Sequence, residues 1–287
     1  MSAPATESVR RGERRLVETA PGTGCWLTCD LLLPRSGVSH SEYGTRPEAD
    51  TADRRRRSAG PRREPRSWEN GGVTRELFLS PALEVAPVLL GGRLTVSAPE
   101  GQVTVRITEV EAYHGLGTEG PHDSGSHSRS RRTERNASMF GPPGHAYVYF
   151  SYGMHFALNL VCSPEGAASG VLIRAGEVLE GLGVARGRRS AKRGGAPPAP
   201  AMLARGPGNL AAALGIRRET HDGLDLFAAP FALSLPTASS GPAPHEIASG
   251  PRVGVAGEAG GPAFPWRFWI VGDPTVSAFR PGRGAPR

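Results

Sequence analysis

Two glutamates stand at the end of a segment whose residue pattern predicts a β-strand. Val103, Val105 and Ile107 alternate with other residues, and the alternation reaches Glu109 and Glu111. Because successive side chains of a strand point to opposite faces, all five are predicted to share one face. Carboxylates that continue an apolar face need polar partners or a shifted pKa, and such groups concentrate at functional sites. The strand alone leaves two interpretations of Glu111 open: a catalytic carboxylate, or a hydrogen-bonded residue at a strand end.

Three tyrosines lie within six positions in a second segment, which is predicted to form a β-hairpin. Tyr147 and Tyr149 are predicted on one face with Ser151, whereas Tyr152 stands beside the turn residue Gly153. A tyrosine at a hairpin tip is difficult to bury in its own core. Tyr152 is therefore a candidate for a partner contact, or for a wedge that enters a base stack. Tyr147 and Tyr149 alone are more typical of core positions.

The elements that would position these residues begin near Arg75 and form a mixed pattern of helices and strands. A helix is predicted after Ser80 and Pro81, because proline is favoured at the first helical position. Further helices are predicted over residues 177–186 and 207–214, and a loop rich in Gly, Ser and Arg over 114–135. The predicted strands are 94–96, 103–112, 146–150, 154–162, 171–174, 252–255 and 267–271.

The charge of the chain indicates a polyanionic partner. Its 287 residues include 34 basic and 27 acidic side chains, a formal net charge of +7. All the basic residues except Lys192 are arginines, whose planar guanidinium groups bind phosphate through two hydrogen bonds. Nucleic acid and a membrane surface are the two kinds of partner that such a balance predicts.

Composition also divides the chain into segments. Residues 1–72 are rich in Arg, Ser, Gly and Pro without a sustained hydrophobic period, and we predict a disordered basic extension there. A non-specific DNA-binding arm is the alternative interpretation of this segment. Residues 73–282 are the predicted globular domain, with a low-complexity insert at 187–200 and a tail at 283–287.

Cysteine content and hydropathy exclude several classes of protein. Three cysteines are too few for a disulfide framework, and Cys25 and Cys29 lack the second ligand pair of a zinc site. No apolar run approaches the roughly 20 residues that span a bilayer. The sequence therefore predicts no membrane association and a cytoplasmic protein, associated with the nucleoid if its source is bacterial.

A series of short motifs runs in order through roughly residues 75–280. The first group is EVEAY at 109–113, HS at 127–128, RN at 135–136, MFGPPG at 139–144, YVYFSYGMH at 147–155 and then Asn159. The second is VLIRA at 171–175, GPGNL at 206–210 and PRVGV at 251–255. Together these motifs resemble the alkyladenine (3-methyladenine) DNA glycosylase family of methylpurine repair enzymes.

The resemblance implies a role for each matching position in the reaction. Glu111 matches the family's catalytic base, which activates the attacking water. Arg174 matches the residue that helps to hold that water, together with the backbone near Val253. Glu109 has no catalytic counterpart, and we interpret it as structural.

The resemblance also implies how the substrate base is held. Tyr113, His127 and Tyr149 match the aromatic walls that enclose a flipped base. Tyr152 matches the side chain that fills the gap left in the duplex, and Asn159 the residue that crowds the exocyclic amino group of guanine. His122 lies in the same loop as His127 and remains the alternative for the histidine of the pocket, because this loop is longer than in many family members.

The fold implied by the resemblance is a mixed α/β (α+β) single domain. A curved, mostly antiparallel sheet is flanked by helices, and the hairpin that carries Tyr152 protrudes from it. The implied partner is double-stranded DNA containing damaged purines, bound by a monomer without a metal or another cofactor.

Three other functions fit these residues less well. A non-catalytic nucleic-acid-binding protein of the same fold would not need Glu111 and Arg174 together. A bifunctional glycosylase-lyase needs an amine nucleophile, and Lys192 lies in a Gly-rich stretch that is a poor place for one. A lipid or RNA binder driven by charge would leave the ordered motifs unexplained.

Overall fold

The computed structural model describes residues 75–151, 153–191, 198–236 and 241–287. Within these ranges eight strands form an antiparallel sheet in the order β3-β4-β5-β2-β1-β6, with β8 paired to β2 and β7 to β8. The strands are β1 (Arg93–Ala98), β2 (Gly101–His114), β3 (Ala146–Ser151), β4 (His155–Val161), β5 (Ser169–Glu180), β6 (Phe231–Ser234), β7 (Ile247–Gly250) and β8 (Arg267–Ile270).

Short helices accompany the sheet, so the chain forms the α+β domain that the sequence predicts. The prediction of a helix after Ser80 and Pro81 is confirmed: α1 begins at Ala82 and buries Ala82, Val85 and Ala86 in the core. The helices are α1 (Ala82–Val88), α2 (Leu182–Ala191), α3 (Pro207–Leu214) and α4 (Arg218–His221), with 3-10 turns at Arg75–Leu79, Ala137–Phe140, Pro200–Met202, Pro244–Glu246 and Glu258–Gly260. None of the helices in the described ranges is long and apolar enough to cross a membrane.

The two longest strands, β2 and β5, lie side by side in the middle of the sheet. Their apolar side chains pack with α1 and α3 in one core, in which Val105, Ile107 and Ile173 are fully buried. Burial of such side chains is worth about 1.5–3 kcal/mol each. The core therefore fixes the two strands that also carry Glu111 and Arg174.

The prediction that Glu109 and Glu111 share a face with Val103, Val105 and Ile107 is wrong. A β-bulge interrupts β2: Ile107 pairs with Gly176 and Glu109 with Ala175, so that Thr108 has no partner on β5. One extra residue reverses the alternation of side chains beyond it. Val110 and Ala112 consequently take the core positions, and both glutamates point to the opposite face of the sheet.

A second bulge lies on the neighbouring strand. Glu109 pairs with Ala175 and Val110 with Ile173, which leaves Arg174 as the extra residue on β5. Bulges redirect side chains, and they are common beside active sites. Arg174 is thereby aimed at the same face of the sheet as the two glutamates.

Two predicted elements differ from the structure. The helix predicted over 177–186 is wrong in its first half, because β5 continues to Glu180 in pairing with β2 and α2 begins only at Leu182. The intervening Gly181 has φ +74°, and a β-carbon there would collide with the Gln102 carbonyl. Helix α2 reaches Ala191, five residues into the segment predicted as an insert.

The strand predicted over 252–255 is also wrong. The strand in this part of the chain is β7 (Ile247–Gly250), and Val253 and Gly254 form a turn after it. Arg252 in this segment is fully buried in an ion pair with Asp123, and this contact with a distant loop holds the segment without strand pairing.

Candidate active site

A cavity of about 750 Å³ opens on the face of the sheet opposite the core. Side chains of β2, β3, β4 and β5 line it, and so do the two loops that contain residues 124–129 and 253–256. Its volume lies within the range of small-molecule pockets, about 300–1,000 Å³. The cavity can therefore accommodate a group of the size of a purine.

Glu111 is fully buried immediately beside this cavity. Its Oε1 accepts a hydrogen bond of 2.6 Å from the backbone N–H of Val253. Its Oε2 accepts hydrogen bonds from the Tyr113 hydroxyl at 2.8 Å and from Nη1 of Arg174 at 3.2 Å. All three donors belong to residues that line the cavity, so the carboxylate is held at its edge.

Arg174 connects the two glutamates. Its Nε donates to Oε1 of Glu109 at 2.9 Å, while Nη1 donates to Glu111. Burial disfavours the charged guanidinium, but the charges of Glu111 and Glu109 outweigh this effect and raise the pKa of Arg174 above its ordinary value. Arg174 is therefore a permanent cation at the edge of the cavity.

Glu109 has further partners on the C-terminal part of the chain. Its Oε1 also accepts hydrogen bonds from Nε of Arg267 at 2.7 Å and from the Ser277 hydroxyl at 2.8 Å. Its Oε2 accepts the Ser277 backbone N–H at 2.7 Å. These bonds fix β2 to β8 and to the segment that follows it.

Tyr113 lies between the cavity and a fully buried arginine. The guanidinium carbon of Arg252 lies 4.5 Å from the centre of the Tyr113 ring, and Arg252 does not line the cavity. Burial, followed by the charge of Glu111, raises the pKa of Tyr113 well above its ordinary value. The phenol therefore stays protonated and continues to donate its hydrogen bond to Glu111.

Arg252 also joins the loops on the two sides of the cavity. It forms a two-pronged ion pair with Asp123 at 2.7 and 2.6 Å, and both side chains have no exposed surface. It donates further to the backbone carbonyls of Ala112 and Ala259 at 3.0 Å each. A β-carbon on Gly125 would lie 3.1 Å from Arg252 and 2.7 Å from Val255, so this close approach requires glycine.

His127 and Tyr149 meet edge to face on the cavity wall. Their ring centres are 4.6 Å apart at an interplanar angle of 88°, and Tyr147 packs on Tyr149 at 5.6 Å. Burial and then the charges of Arg135 and Arg129 lower the pKa of His127, so the ring is neutral at neutral pH. Of the two histidines considered for this position, His127 lines the cavity, whereas the exposed His122 does not.

The inner end of the cavity is formed by β4 and β5. Asn159 is buried there, paired with Leu172 across the two strands, and its side-chain amide donates to the Tyr147 carbonyl at 3.2 Å. This bond fixes the direction of the amide. Asn159 and Leu172 both line the cavity and limit its depth.

Comparison with known proteins identifies the family to which this arrangement belongs. The family model described as "Methylpurine-DNA glycosylase (MPG)" matches residues 76–274. The chain belongs to the methylpurine-DNA glycosylase family.

Relatives over the same region agree with this assignment. A protein of Leifsonia xyli subsp. xyli is 50% identical over 206 residues, which cover 72% of this chain and 92% of the relative. A protein of Streptomyces avermitilis is 50% identical over 209 residues, with the same coverage of both chains. The names of both describe a 3-methyladenine DNA glycosylase.

In this member of the methylpurine-DNA glycosylase family, most of the site residues predicted from the sequence lie close together. The structure brings seven of them to the cavity or its edge: Glu111, Tyr113, His127, Tyr149, Asn159, Arg174 and Val253. Tyr152, the predicted wedge, lies outside the described residues, as do the predicted extension 1–72 and Lys192. The described part of the chain contains no group of three or more His, Cys, Asp or Glu side chains that could hold a metal ion.

Four further residues at or beside the cavity have no predicted role in the sequence analysis. Arg129 and Arg135 line the cavity, and their place in the Arg-rich loop could have indicated it. Asp123 and Arg252 carry opposite charges, but they are 129 residues apart, and nothing in the sequence connects them. Their pairing became evident only from the folded chain.

Proposed function

We propose that this glycosylase flips alkylated or deaminated purines of the 3-methyladenine type out of duplex DNA. It then hydrolyses the N-glycosidic bond with an activated water and leaves an abasic site. The observation that carries the proposal is the Glu111 carboxylate, held by three hydrogen-bond donors at the edge of an aromatic cavity. No amine takes part in this reaction, so the enzyme is monofunctional, and it acts as a monomer.

Base flipping follows from the position of the carboxylate. A base inside a duplex cannot reach a buried group, and extruding it costs a few kcal/mol, least for a damaged pair. Tyr113 on one side of the cavity, and His127 with Tyr149 on another, provide aromatic surface for the extruded base. Because alkylated purines such as 3-methyladenine are cationic, these rings and a neutral His127 attract them. Tyr152, which the sequence predicts at a hairpin tip, would occupy the gap in the duplex.

The chemistry uses Glu111 as general base. Glu111 takes one proton from a water as the water oxygen forms a bond to the anomeric carbon of the sugar. The N-glycosidic bond breaks, and its electron pair leaves with the base. Positive charge develops on the sugar in this transition state, and a nearby carboxylate stabilises it. Arg174 and the Val253 N–H fix the carboxylate and help to place the water.

Two arginines are suited to contact the DNA backbone at the mouth of the cavity. Arg135 donates to the Phe150 carbonyl of β3 at 3.2 Å, and Arg129 to the Ser126 carbonyl at 3.1 Å. These bonds hold the two guanidinium groups beside the opening, where phosphates of a flipped nucleotide would pass. Arginine contacts to phosphate bind DNA irrespective of its sequence.

The test is base release from duplex oligonucleotides that each carry a single lesion. The lesions are 3-methyladenine, 7-methylguanine, hypoxanthine and ethenoadenine, with an undamaged duplex as control. We expect release of at least one damaged base and an abasic strand that breaks only after alkali. Binding without release of any base would support the non-catalytic alternative. A covalent adduct trapped by borohydride would indicate a lyase.

Asn159 is expected to restrict the cavity to bases without a guanine amino group. The Asn159→Ser variant shortens the side chain at the inner end and frees room there, while its loss of the bond to Tyr147 should be tolerated. We predict measurable release of undamaged guanine from the variant and none from the wild type, with duplex binding largely unchanged. Tyr152→Ala is the matched comparison, since it should weaken flipping at every lesion without a new substrate. Identical substrate profiles in the two variants would contradict this division of roles.

A further inference from the structure

We propose that Glu109 is a positioning residue that sets how much positive charge Arg174 presents to Glu111, and thereby the strength of Glu111 as a base. The inference rests on the proposed function, because it takes Glu111 to be the base. Glu109 has no hydrogen bond to Glu111, and Arg174 is the side chain that bonds to both, so Glu109 acts on Glu111 through Arg174.

The first argument is the number of donors that Glu109 receives. Its carboxylate is fully buried and accepts four hydrogen bonds: from Arg174, Arg267, the Ser277 hydroxyl and the Ser277 backbone N–H. A carboxylate is costly to bury unless it is paired and hydrogen-bonded. A structural link between β2 and the segment after β8 could be made by neutral side chains, as the nearby Thr108 and Thr275 hydroxyls do at 2.7 Å. The use of a charge at Glu109 therefore requires an explanation.

The second argument is the order of charges. Glu111, Arg174, Glu109 and Arg267 form a chain in which negative and positive groups alternate, and their formal charges sum to zero. Arg174 is shared between two carboxylates, with the shorter bond to Glu109 at 2.9 Å against 3.2 Å to Glu111. A shared guanidinium attracts each carboxylate less strongly than one that serves a single partner. Glu109 thus keeps Arg174 from stabilising the anionic form of Glu111 too strongly.

The other groups that face Glu111 form no hydrogen bond with Glu109, so a change at Glu109 leaves their own contacts in place. The Tyr113 hydroxyl is on β2, and Arg252 follows β7, where its charge is matched by the buried Asp123. The N–H of Val253 is a fixed backbone donor. The remaining charge on the network is Arg267 of β8, which forms an ion pair with Glu109 and lies opposite Glu111 in the pairing of β2 with β8.

Glu109→Gln should make Glu111 a weaker base. The variant keeps the shape of the side chain but leaves Arg174 paired with Glu111 alone. An opposite charge favours the charged form of a carboxyl group, so protonation of Glu111 then requires a lower pH. We expect the acid limb of the kcat profile to move down by about one pH unit, and kcat on the plateau to fall by up to about tenfold.

Arg267→Gln should have the opposite sign, and the double variant should compensate. Without Arg267, Glu109 binds Arg174 more strongly and the acid limb moves to higher pH. In Glu109→Gln/Arg267→Gln one negative and one positive charge are lost together, so the limb should return toward the wild-type position. A purely structural role predicts instead that the double variant is at least as impaired as either single variant.

The experiment measures pH profiles of single-turnover base release for the wild type, the two single variants and the double variant. Thr108→Val is the matched control, because it removes a buried hydrogen bond beside the network without changing its charge, and it should leave the acid limb in place. The carbon-13 resonance of the Glu111 side-chain carboxyl, titrated in the same proteins, reports the same displacement without turnover.

The two possible failures are distinguishable. If the wild type releases no base from any lesion, the proposed function fails, and the carboxyl titration still decides the role of Glu109. If the wild type is active and a folded Glu109→Gln variant keeps the wild-type acid limb and titration, the inference about Glu109 is overturned. Should Glu109→Gln fail to fold, an unchanged acid limb in Arg267→Gln would overturn it equally.

Discussion

Replacing Glu111 with glutamine is expected to lower the rate of base release by at least the roughly 100-fold that loss of a general base causes. The glutamine side chain has nearly the same shape and can still fill the space between Val253, Tyr113 and Arg174. It cannot accept a proton from water. Binding to lesion-containing duplex should persist, because the aromatic side chains that line the cavity, Tyr113, His127 and Tyr149, are unchanged.

The measurement is single-turnover base release together with a binding titration on the same lesion duplex. Glu177→Gln is the matched control, because Glu177 lies on β5 with 47% of its side chain exposed and pairs with Arg106 away from the cavity. It should retain activity within about twofold, as expected for a surface ion pair. Near-wild-type turnover in Glu111→Gln would falsify its assignment as the base.

The second large effect is expected at Arg252, and it concerns stability. Arg252→Met leaves Asp123 buried without its partner and removes donors from the carbonyls of Ala112 and Ala259. Breaking a buried ion pair on one side costs about 3–5 kcal/mol. Tyr113 also loses the guanidinium that packs on its ring. We therefore expect a loss of about that size in the free energy of unfolding, measured by urea denaturation.

Two further variants separate the causes of this loss. Arg75→Met breaks an exposed pair with Asp225, whose side chains are 42% and 32% accessible, and should cost about 1 kcal/mol or less. Asp123→Asn in the Arg252→Met background removes the uncompensated charge and should recover part of the stability. If Arg252→Met lowers the free energy of unfolding no more than Arg75→Met does, the buried pair contributes no more to stability than the exposed one.

Local patterns in the sequence predict much of the framework. Proline at the start of α1 and α3, and the alternation along β1, β3 and β4, are signals carried by neighbouring residues. The family resemblance supplied the candidate site, and the fold brings seven of its residues to one cavity. Local signals failed where contacts with a distant segment decide the structure. Residues 177–180 are compatible with a helix, but pairing with β2 makes them part of β5, which continues through Glu180.

The face on which the two glutamates lie is a second feature that local sequence signals do not predict. Their alternation with Val103 and Ile107 is correct as a pattern, yet the conclusion about their face is wrong. The unpaired Thr108 reverses the alternation, and a bulge depends on how two strands align rather than on the composition of one. Likewise, the buried pair of Asp123 and Arg252 depends on the approach of two loops that no local signal connects.

The bulge at Thr108 also constrains how this gene can change. A codon substitution at position 108 exchanges one side chain and leaves the number of residues in β2 unchanged, so the other side chains keep their directions. An in-frame deletion of that codon would place Glu109 directly after Ile107. Uninterrupted alternation along β2 would then leave both glutamates on their present face, opposite Val110 and Ala112. Mutational scanning should therefore find that loss of residue 108 is tolerated better than loss of Val110, which would make the two glutamates adjacent and place them on opposite faces. The face on which the two glutamates lie, more than the residue at position 108, is what selection would have to preserve.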